Sequence, residues 1–392
     1  MDKFAMSGEE FELGDYCTRL TFDIIGAVVM DVDFKAQGEK KEQDQTLTIF
    51  RELAHTFTTQ INRFLLWFQP RLLYTRKTLS WRLHRKLRQL VQRKFNEMKA
   101  GTASKTRSVL TRSLEGLDHL DSKMTDDICD QLKTFLFAGH DTTSILLQWA
   151  FYELSKTPKA LKAICAELDD IFGPCTSPEV ILKLLDAHGN ELLSRMSYTS
   201  AVIKEILRLY PPASTARTSP AGSGFHLKTQ DGTQYCADEL LLYLCNFEIH
   251  RDPNVYGETA DRFMPERWLE ESGPSGSAGE KNDADEKSSN GNQIPPSAWR
   301  GFERGPRSCI GQELANIEVK AILAATIRRY NFIKVGLGEL ALDEENRPVL
   351  DQTGSYKTKS TLFNSTRITN QPVDKCLVSI KLSQRAMDES LA

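Results

Sequence analysis

The stretch from Met124 to Leu154 restricts this chain to a mainly helical fold with a large core. Asp126 and Asp127 lie near its start and Pro158 follows its end, as expected for one long helix. Apolar residues occupy all sides of its middle, so this helix has no face suited to water. A chain of 392 residues, of which 40% are hydrophobic, can bury such a helix in its core.

Other periodic patterns predict helices before and after this one. A first amphipathic helix is expected near the N-terminus, with more helices up to about residue 100, and Pro211 and Pro212 end a later one. Short strands are expected in two places. The predicted fold is mainly α with small β-sheets. The helix bounds are 11–30, 159–172, 178–187, 198–209 and 309–330, and the strand regions are 225–245 and 376–380.

Charge and cysteine content exclude several classes of protein. The formal net charge is -3, which gives no global attraction to nucleic acid. The eight cysteines form no CxxC pair and lack the dense spacing of a disulfide scaffold, so a reducing compartment is expected. The longest early apolar run, 24–30, is far shorter than a membrane span, so we expect no signal or anchor in this chain.

Two segments have compositions that predict surface positions. Residues 271–294 are rich in Ser, Gly, Asp, Glu, Lys and Asn, which predicts a disordered surface insertion. Residues 71–99 hold ten Lys or Arg residues and one acid, Glu97, just after the apolar stretch FLLWF at 64–68. Such a segment forms either a solvated helix face or a peripheral contact with anionic lipid.

The decamer FERGPRSCIG, residues 302–311, contains the most informative cysteine. Gly305 permits a turn with positive φ, and Gly311 removes a side chain that would keep a bulky group away. Cys309 is expected at the start of a helix, where the dipole favours a thiolate. Arg307 is suited to pairing with a carboxylate. One soft ligand without a neighbouring Cys or His fits an axial haem ligand and fits neither zinc nor an iron–sulfur cluster, whereas a buried, inert cysteine is the alternative.

The decamer matches the pattern F-x-x-G-x-R-x-C-x-G at every fixed position, from Phe302 to Gly311, and so resembles the haem-binding loop of the cytochrome P-450 family. The resemblance covers almost the whole chain and implies a P-450 fold over 1–392 as one domain. It further implies haem b as cofactor, with Cys309 as the axial ligand of its iron.

The motif AGHDTT, residues 138–143, resembles the distal-helix motif of the same family. Ala138 and Gly139 would leave room beside the macrocycle. Thr142 would position a proton relay to dioxygen, with Asp141 behind it. The alternative is that the threonines hydrogen-bond to carbonyls of their own helix.

Glu205 and Arg208 in KEILRLYPP stand three residues apart and resemble the family's E-x-x-R pair. Arg267 in PERW would be the third member. Because a buried carboxylate needs full hydrogen bonding, the trio is expected to have a structural role beneath the haem. Arg217 is a further candidate, as a partner of a haem propionate. The sequence departs from the family pattern at His140 and at Trp268, where Phe is common.

The resemblance implies a monooxygenase that inserts one oxygen atom from O2 into a small apolar organic substrate. Electrons would come from NADPH through a cytochrome P-450 reductase, which would dock where Arg300, Arg304 and Lys320 offer positive charge. The implied location is the cytosolic face of the endoplasmic reticulum membrane. The motifs resemble those of fungal members that act in secondary metabolism or detoxification.

The segment FELGDYCTRLTFDIIGAVVM, which follows an anchor and the first helices in eukaryotic members, stands here at residues 11–30. The chain therefore resembles an N-terminally truncated family member. Two alternatives to the monooxygenase remain. One is a haem-thiolate isomerase or dehydratase that needs no reductase, and the other is an inactive haem-binding protein.

Overall fold

The computed structural model describes residues 1–58, 69–102, 107–229, 231–269, 294–366 and 368–391. The chain divides into two compact units. Unit 1 contains Met1–Glu9, Trp149–Thr361 and Ser379–Ala392, and unit 2 contains Glu10–Gln148 and Leu362–Val378. The expectation of one domain over 1–392 stays a prediction. The insertion expected at 271–294 lies outside the described residues, except for residue 294.

Helices dominate both units, as the sequence predicts, and the mainly α fold class is confirmed. In chain order they are α1 (Asp2–Ser7), α2 (Leu13–Ile25), α3 (Gln45–Thr58), α4 (Pro70–Lys99), α5 (Val109–Leu114), α6 (Ser122–Lys156), α7 (Pro158–Phe172), α8 (Pro178–Arg195), α9 (Ser197–Leu209), α10 (Asn246–Ile249), α11 (Pro253–Tyr256), α12 (Gln312–Thr326) and α13 (Gln384–Leu391). A π-helical turn, Gly26–Met30, continues α2.

The strands are short and pair in small sheets. They are β1 (Phe11–Glu12), β2 (Thr215–Thr218), β3 (His226–Lys228), β4 (Gln234–Cys236), β5 (Leu241–Leu244), β6 (Tyr330–Lys334), β7 (Asn364–Thr366), β8 (Asn370–Pro372) and β9 (Leu377–Leu382). In unit 1, β2 pairs antiparallel with β5, with Arg217 opposite Leu242, and β3 pairs with β4. In unit 2, β7 pairs with β8, and Phe11 of β1 lies opposite Val378.

The all-round burial expected for the long helix α6 is found in its C-terminal part only, since residues 134, 137 and 138 are exposed. Every residue from 143 to 154 is buried, including Trp149 and Phe151. Such a helix cannot lie on the surface, and it brings the polar groups of its sequence into apolar surroundings. Among the described residues, no helix combines the length and apolar content needed to cross a bilayer.

Three helix bounds differ from the sequence expectation for local reasons. Phe11 and Glu12 are a strand because their backbones pair with Val378 and Leu377. The helix expected at 178–187 runs on to Arg195, with a kink at His188, where φ is -136° and ψ is 24°. The helix expected at 309–330 spans only 312–326, because a turn precedes it and a strand follows it.

Unit 1 packs α9 against α7 and α12, and α8 against α12. A small core forms beside α9 from Ala201, Tyr256, Ala260 and Trp268. The helix α9 is apolar on most sides and still contains the fully buried Glu205 and Arg208. The residues packed around α9 therefore bury this polar pair. Trp299, which precedes the cysteine loop, also packs against the small core, and its Nε1 donates to the Lys204 carbonyl of α9.

Candidate cofactor site

The cysteine loop of unit 1 is a tight turn closed by backbone hydrogen bonds. The Cys309 amide donates to the Phe302 carbonyl at 2.8 Å, and the Ser308 amide donates to the Gly305 carbonyl at 2.9 Å. Gly305 has a φ of 73°, so the predicted positive φ is confirmed. The Cys309 side chain is exposed, and the alternative of a buried cysteine does not hold.

The expectation that Cys309 begins a helix is wrong. The first helical residue is Gln312, with Gly311 as its N-cap, so Cys309 lies three residues earlier in the turn. The unpaired amides of the first helical turn belong to residues beyond the cysteine. The sulfur is presented by the turn and not by the helix end.

Free space surrounds the turn on the side of its two glycines. A Cβ at Gly305 would meet nothing within 4 Å, and one at Gly311 would meet only Cys309 Sγ, at 3.8 Å. The described residues contain no cluster of three or more His, Cys, Asp or Glu suited to a metal ion. A lone thiol beside open space fits an iron whose other ligands come from a flat macrocycle, and it does not fit tetrahedral zinc.

Arg217, a candidate partner for a carboxylate, lies near this turn. It is on β2, and its Nη2 lies 3.9 Å from Glu303 Oε2 in the cysteine loop. Its Nη1 also donates to the Ala216 carbonyl at 3.0 Å. Arg307 is exposed. The Phe302 ring meets the Trp299 ring edge-on, with their centroids 6.3 Å apart. Arg307 is thus an exposed guanidinium of this turn, while Arg217 already has partners in the protein.

Glu205, Arg208 and Arg267 are brought together in unit 1. Arg208 Nε and Nη2 donate to the two oxygens of Glu205, each at 2.9 Å, and Arg267 Nε donates to Oε1 at 3.0 Å. The Met264 amide adds a further bond to Oε1, at 3.0 Å. Trp268 Nε1 donates to Oε2 at 2.9 Å, which a phenylalanine could not do. The carboxylate therefore has five donors and no solvent-accessible surface.

Arg208 uses all five of its N–H donors. Besides the two bonds to Glu205, it donates to the carbonyls of His250, Ala260 and Arg262. Its side chain is fully buried. A guanidinium with every donor paired is tolerated in the core, and it fixes two segments, at residue 250 and at residues 260–262, against the end of α9.

His250, to which the sequence gave no role, links this network to the cysteine loop. Its Nε2 accepts from the Arg300 amide at 2.8 Å, and its Nδ1 lies 3.2 Å from the Arg208 carbonyl. An acceptor Nε2 requires the neutral ring with its proton on Nδ1. Burial lowers the pKa of His250 to about 4. No spacing signal could have found it, since its partners lie 42 and 50 residues away.

The motif 138–143 lies in unit 2, where α6 has an exposed patch. Ala138 is exposed. The Thr142 hydroxyl donates to the Ala138 carbonyl at 2.8 Å, so this threonine hydrogen-bonds to a carbonyl of its own helix. The Thr142 oxygen retains lone pairs that can accept a hydrogen bond. Asp141 accepts from the Thr369 hydroxyl.

Gly139 and His140 are packed against other residues of unit 2. A Cβ on Gly139 would lie 2.5 Å from Ile25 Cδ1, so this glycine allows α2 and α6 to approach closely. The His140 ring meets Phe22 and Phe50 edge-on, at centroid distances of 5.5 and 5.1 Å. Burial lowers the pKa of His140, so this ring is held neutral.

The basic residues expected to dock a partner are mostly engaged. Lys320 Nζ donates to the Leu193 carbonyl at 2.9 Å, and burial lowers its pKa. Arg300 pairs with Glu303 at 3.0 Å. Of the three, only Arg304 is exposed, while Arg300 and Lys320 are half-buried, and the docking role of these residues stays a prediction.

Comparison with protein-family models shows the family of this chain. The family model for cytochrome P-450 matches residues 1–359. The chain belongs to the cytochrome P-450 family. Members of this family bind haem b, and a cysteine thiolate is the axial ligand of its iron. The family resemblance seen in the sequence is confirmed.

Individual P-450 relatives are similar over most of this chain. The cytochrome P-450 monooxygenase acrF of Aspergillus aculeatus is 31% identical over 338 residues, which are 85% of this chain and 65% of that protein. The monooxygenase polC of Polytolypa hystricis is 32% identical over 84% of this chain and 56% of its own length. A bifunctional cytochrome P-450/NADPH–P-450 reductase of Fusarium oxysporum is 28% identical over 84% of this chain and 28% of its own. The chain thus spans less than two thirds of the length of these relatives.

We predict that removing the charge of Glu205 destabilises this P-450 chain strongly. Glu205→Gln leaves Arg208 and Arg267 buried without a counter-charge, so unfolding should become easier by about 3 to 5 kcal/mol. The matched control is Glu115→Gln, which removes an exposed i,i+3 partner of Arg112 and should cost at most about 0.5 kcal/mol. Urea denaturation followed by circular dichroism measures both. Equal losses in the two variants would refute a special role for the buried carboxylate.

We also predict a pH dependence from His250. The pKa of His250 is about 4 in the folded chain and about 6.5 in the unfolded chain. Between these pH values only the unfolded state takes up a proton at this residue. Stability should therefore fall as the pH drops from about 6.5 to 4, by about 3 kcal/mol in total. His250→Gln should flatten this part of the curve, while exposed His226→Gln should leave it intact. Parallel curves for wild type and His250→Gln contradict the assignment.

Proposed function

We propose that this chain is a haem-thiolate monooxygenase in which Cys309 binds the iron of haem b. One observation carries the proposal: an exposed thiol stands in a glycine turn with free space beside its sulfur, in a chain of the P-450 family. Haem, when bound, supplies the redox chemistry that cleaves dioxygen. The chain's own part is to hold that group, exclude water and supply protons.

The residues of the cysteine loop have complementary parts in holding the macrocycle. The turn at Gly305 and the missing side chain of Gly311 let the backbone approach a flat ring, and the ring of Phe302 stands at the entry to the turn. Arg307, which is exposed in this loop, would pair with one carboxylate of haem, and Arg217 would pair with the other in place of its contact with Glu303.

Thr142 and Asp141 control protons in this proposal. The Thr142 hydroxyl is held by the Ala138 carbonyl, so its oxygen lone pairs point away from that bond and can accept from a water. Asp141 is the acid behind it, held by Thr369. Ala138 is exposed and adds only a methyl group to this part of α6, whereas the space beside Gly139 is filled by Ile25. A protein without dioxygen chemistry needs no such hydroxyl and carboxylate.

The proposed reaction inserts one oxygen atom from O2 into a small apolar organic substrate, in secondary metabolism or detoxification. Two fungal relatives named monooxygenases support the reaction class. The electron donor is an NADPH–cytochrome P-450 reductase, and the relative that joins both names in one protein supports this partner. Exposed Arg304 is the cation offered to it.

A peripheral contact with the cytosolic face of the endoplasmic reticulum membrane is part of the same proposal. The first half of α4 exposes Tyr74 and Trp81, 73% and 58% accessible, among its basic residues. Arg85 lies over the Trp81 ring at 5.0 Å. Aromatic and basic side chains together suit an anionic membrane surface. Cosedimentation with phosphatidylserine vesicles but not with phosphatidylcholine vesicles tests this contact, and equal recovery with both argues against it.

We predict that Thr142→Val uncouples the reaction. With purified reductase, NADPH, labelled dioxygen and a panel of apolar compounds, the wild-type chain should give a product carrying one labelled oxygen. Thr142→Val should lower product formed per NADPH by about tenfold or more, since positioned proton transfer contributes about 100-fold or more. Thr142→Ser, which keeps the hydroxyl, should remain close to wild type.

Thr134→Val is the matched control for this experiment. Thr134 lies on the same helix, is exposed, and makes the same bond to the carbonyl four residues earlier, at 2.9 Å to Asp130. Its loss should not change the coupling. Absence of labelled product and of chain-dependent NADPH consumption in a haem-loaded preparation would reject the monooxygenase proposal and leave the isomerase or dehydratase and the inactive haem-binding protein as the two alternatives.

A further inference from the structure

Unit 2 contains a cavity of about 680 Å³ between α3 and α4 that is largely open to solvent, since five of its nine lining residues are exposed. The residues that line it are spaced by one, three or four along each helix, so each set lies on one helix face. Its volume is within the range of small-molecule sites. The lining residues are Arg51, Glu52, His55 and Thr56 of α3, and Tyr74, Thr75, Thr78, Leu79 and Arg82 of α4.

Hydrogen-bond donors outnumber acceptors in this cavity. Within the described part of the chain, the Arg51 guanidinium makes only one long bond, 3.4 Å to Gln43 Oε1, and Arg82 makes neither an ion pair nor a side-chain bond. The hydroxyls of Thr78 and Tyr74 likewise have no partner there. Glu52 is the only carboxylate of the lining, and no cation of the described residues lies within 4.0 Å of it. A ligand that offers only acceptors, an anion, fits this set of donors.

The charge of Arg51 is poorly compensated by its surroundings. Partial burial and the nearby Arg19 lower the pKa of Arg51. The negative charge of Asp15 acts on Arg51 from a distance, but Asp15 itself forms an ion pair with Lys375 at 3.1 Å. Asp23, the other acid near Arg51, accepts from two backbone amides of the loop after α2. An added negative charge would therefore be attracted to this end of the cavity.

The remaining lining is apolar. Leu79 is buried, and the ring of Tyr74 stands exposed at the side of the cavity. We propose that this cavity binds a small amphipathic organic anion, with its acidic group held by Arg51 and Arg82 and its apolar part against Leu79 and Tyr74. The acidic group is a carboxylate or a phosphate monoester, which share this recognition chemistry.

This cavity is independent of the haem proposal. None of its lining residues belongs to the cysteine loop, and a ligand can bind there without any catalytic turnover. The test is isothermal titration of the full chain with octanoate and with octanamide, which has the same apolar tail and no charge. Octanoate should bind saturably and at least tenfold more tightly than octanamide, and added salt should weaken it because the attraction is electrostatic.

Variants assign the binding to the two arginines. Arg51→Gln and Arg82→Gln should each weaken octanoate binding by about tenfold, the effect of losing one charge-assisted contact. Neither should change octanamide binding. Arg93→Gln is the matched control, since Arg93 is on the same helix, 63% exposed, and outside the cavity. Circular dichroism checks folding, and exposed Arg82 provides the test if the Arg51 variant is unfolded.

The results overturn the proposal if octanoate and octanamide bind alike, or if octanoate binds equally to wild type and to both arginine variants. Octyl phosphate identifies the acidic group: tighter arginine-dependent binding than octanoate supports the site and assigns a phosphate monoester. Binding to phosphatidylserine vesicles with none to soluble octanoate or octyl phosphate rejects the small-molecule site and leaves only a lipid contact.

Discussion

The buried carboxylate of Glu205 is the interaction on which the cysteine loop depends. An ionised group with no access to water is tolerated only when every oxygen is hydrogen-bonded, and Glu205 meets this condition with donors from its own helix and from the segment 264–268. Arg208 extends the network to the carbonyls beside it, and His250 connects it to the Arg300 amide. The cysteine loop follows directly. The network thus anchors the chain at the start of this loop, while backbone hydrogen bonds within the loop close its turn.

This dependence explains why local patterns predicted some features and missed others. Helix periodicity and the proline pair found α9, and the all-round apolar pattern found α6, since both signals depend on neighbouring residues. The i,i+3 spacing suggested the Glu205–Arg208 pair. The partnership of His250 with Arg300 leaves no local trace, because the two residues are 50 apart in the chain. Family resemblance supplied Cys309 and Arg267, whose positions follow from no periodicity.

Two expected features had different physical causes from those the sequence suggested. Cys309 is presented by a turn three residues before α12, so the geometry of that turn replaces the helix end as the means of exposing the sulfur. Gly139 is small because Ile25 of α2 packs against it, whatever else lies near that part of α6. In both cases the sequence motif identified the residue, Cys309 or Gly139. The turn around Cys309 and the contact of Gly139 with Ile25 could be seen only in the folded structure.

The measurement that tests the central claim most directly is the absorption spectrum of the haem-loaded, reduced, carbon-monoxide-bound chain. The account predicts a strongly red-shifted Soret band that disappears in Cys309→Ser and persists in Cys236→Ser, which removes another exposed thiol. A folded, haem-loaded Cys309→Ser protein with the wild-type spectrum would contradict the account, because the iron would then have a ligand other than this sulfur.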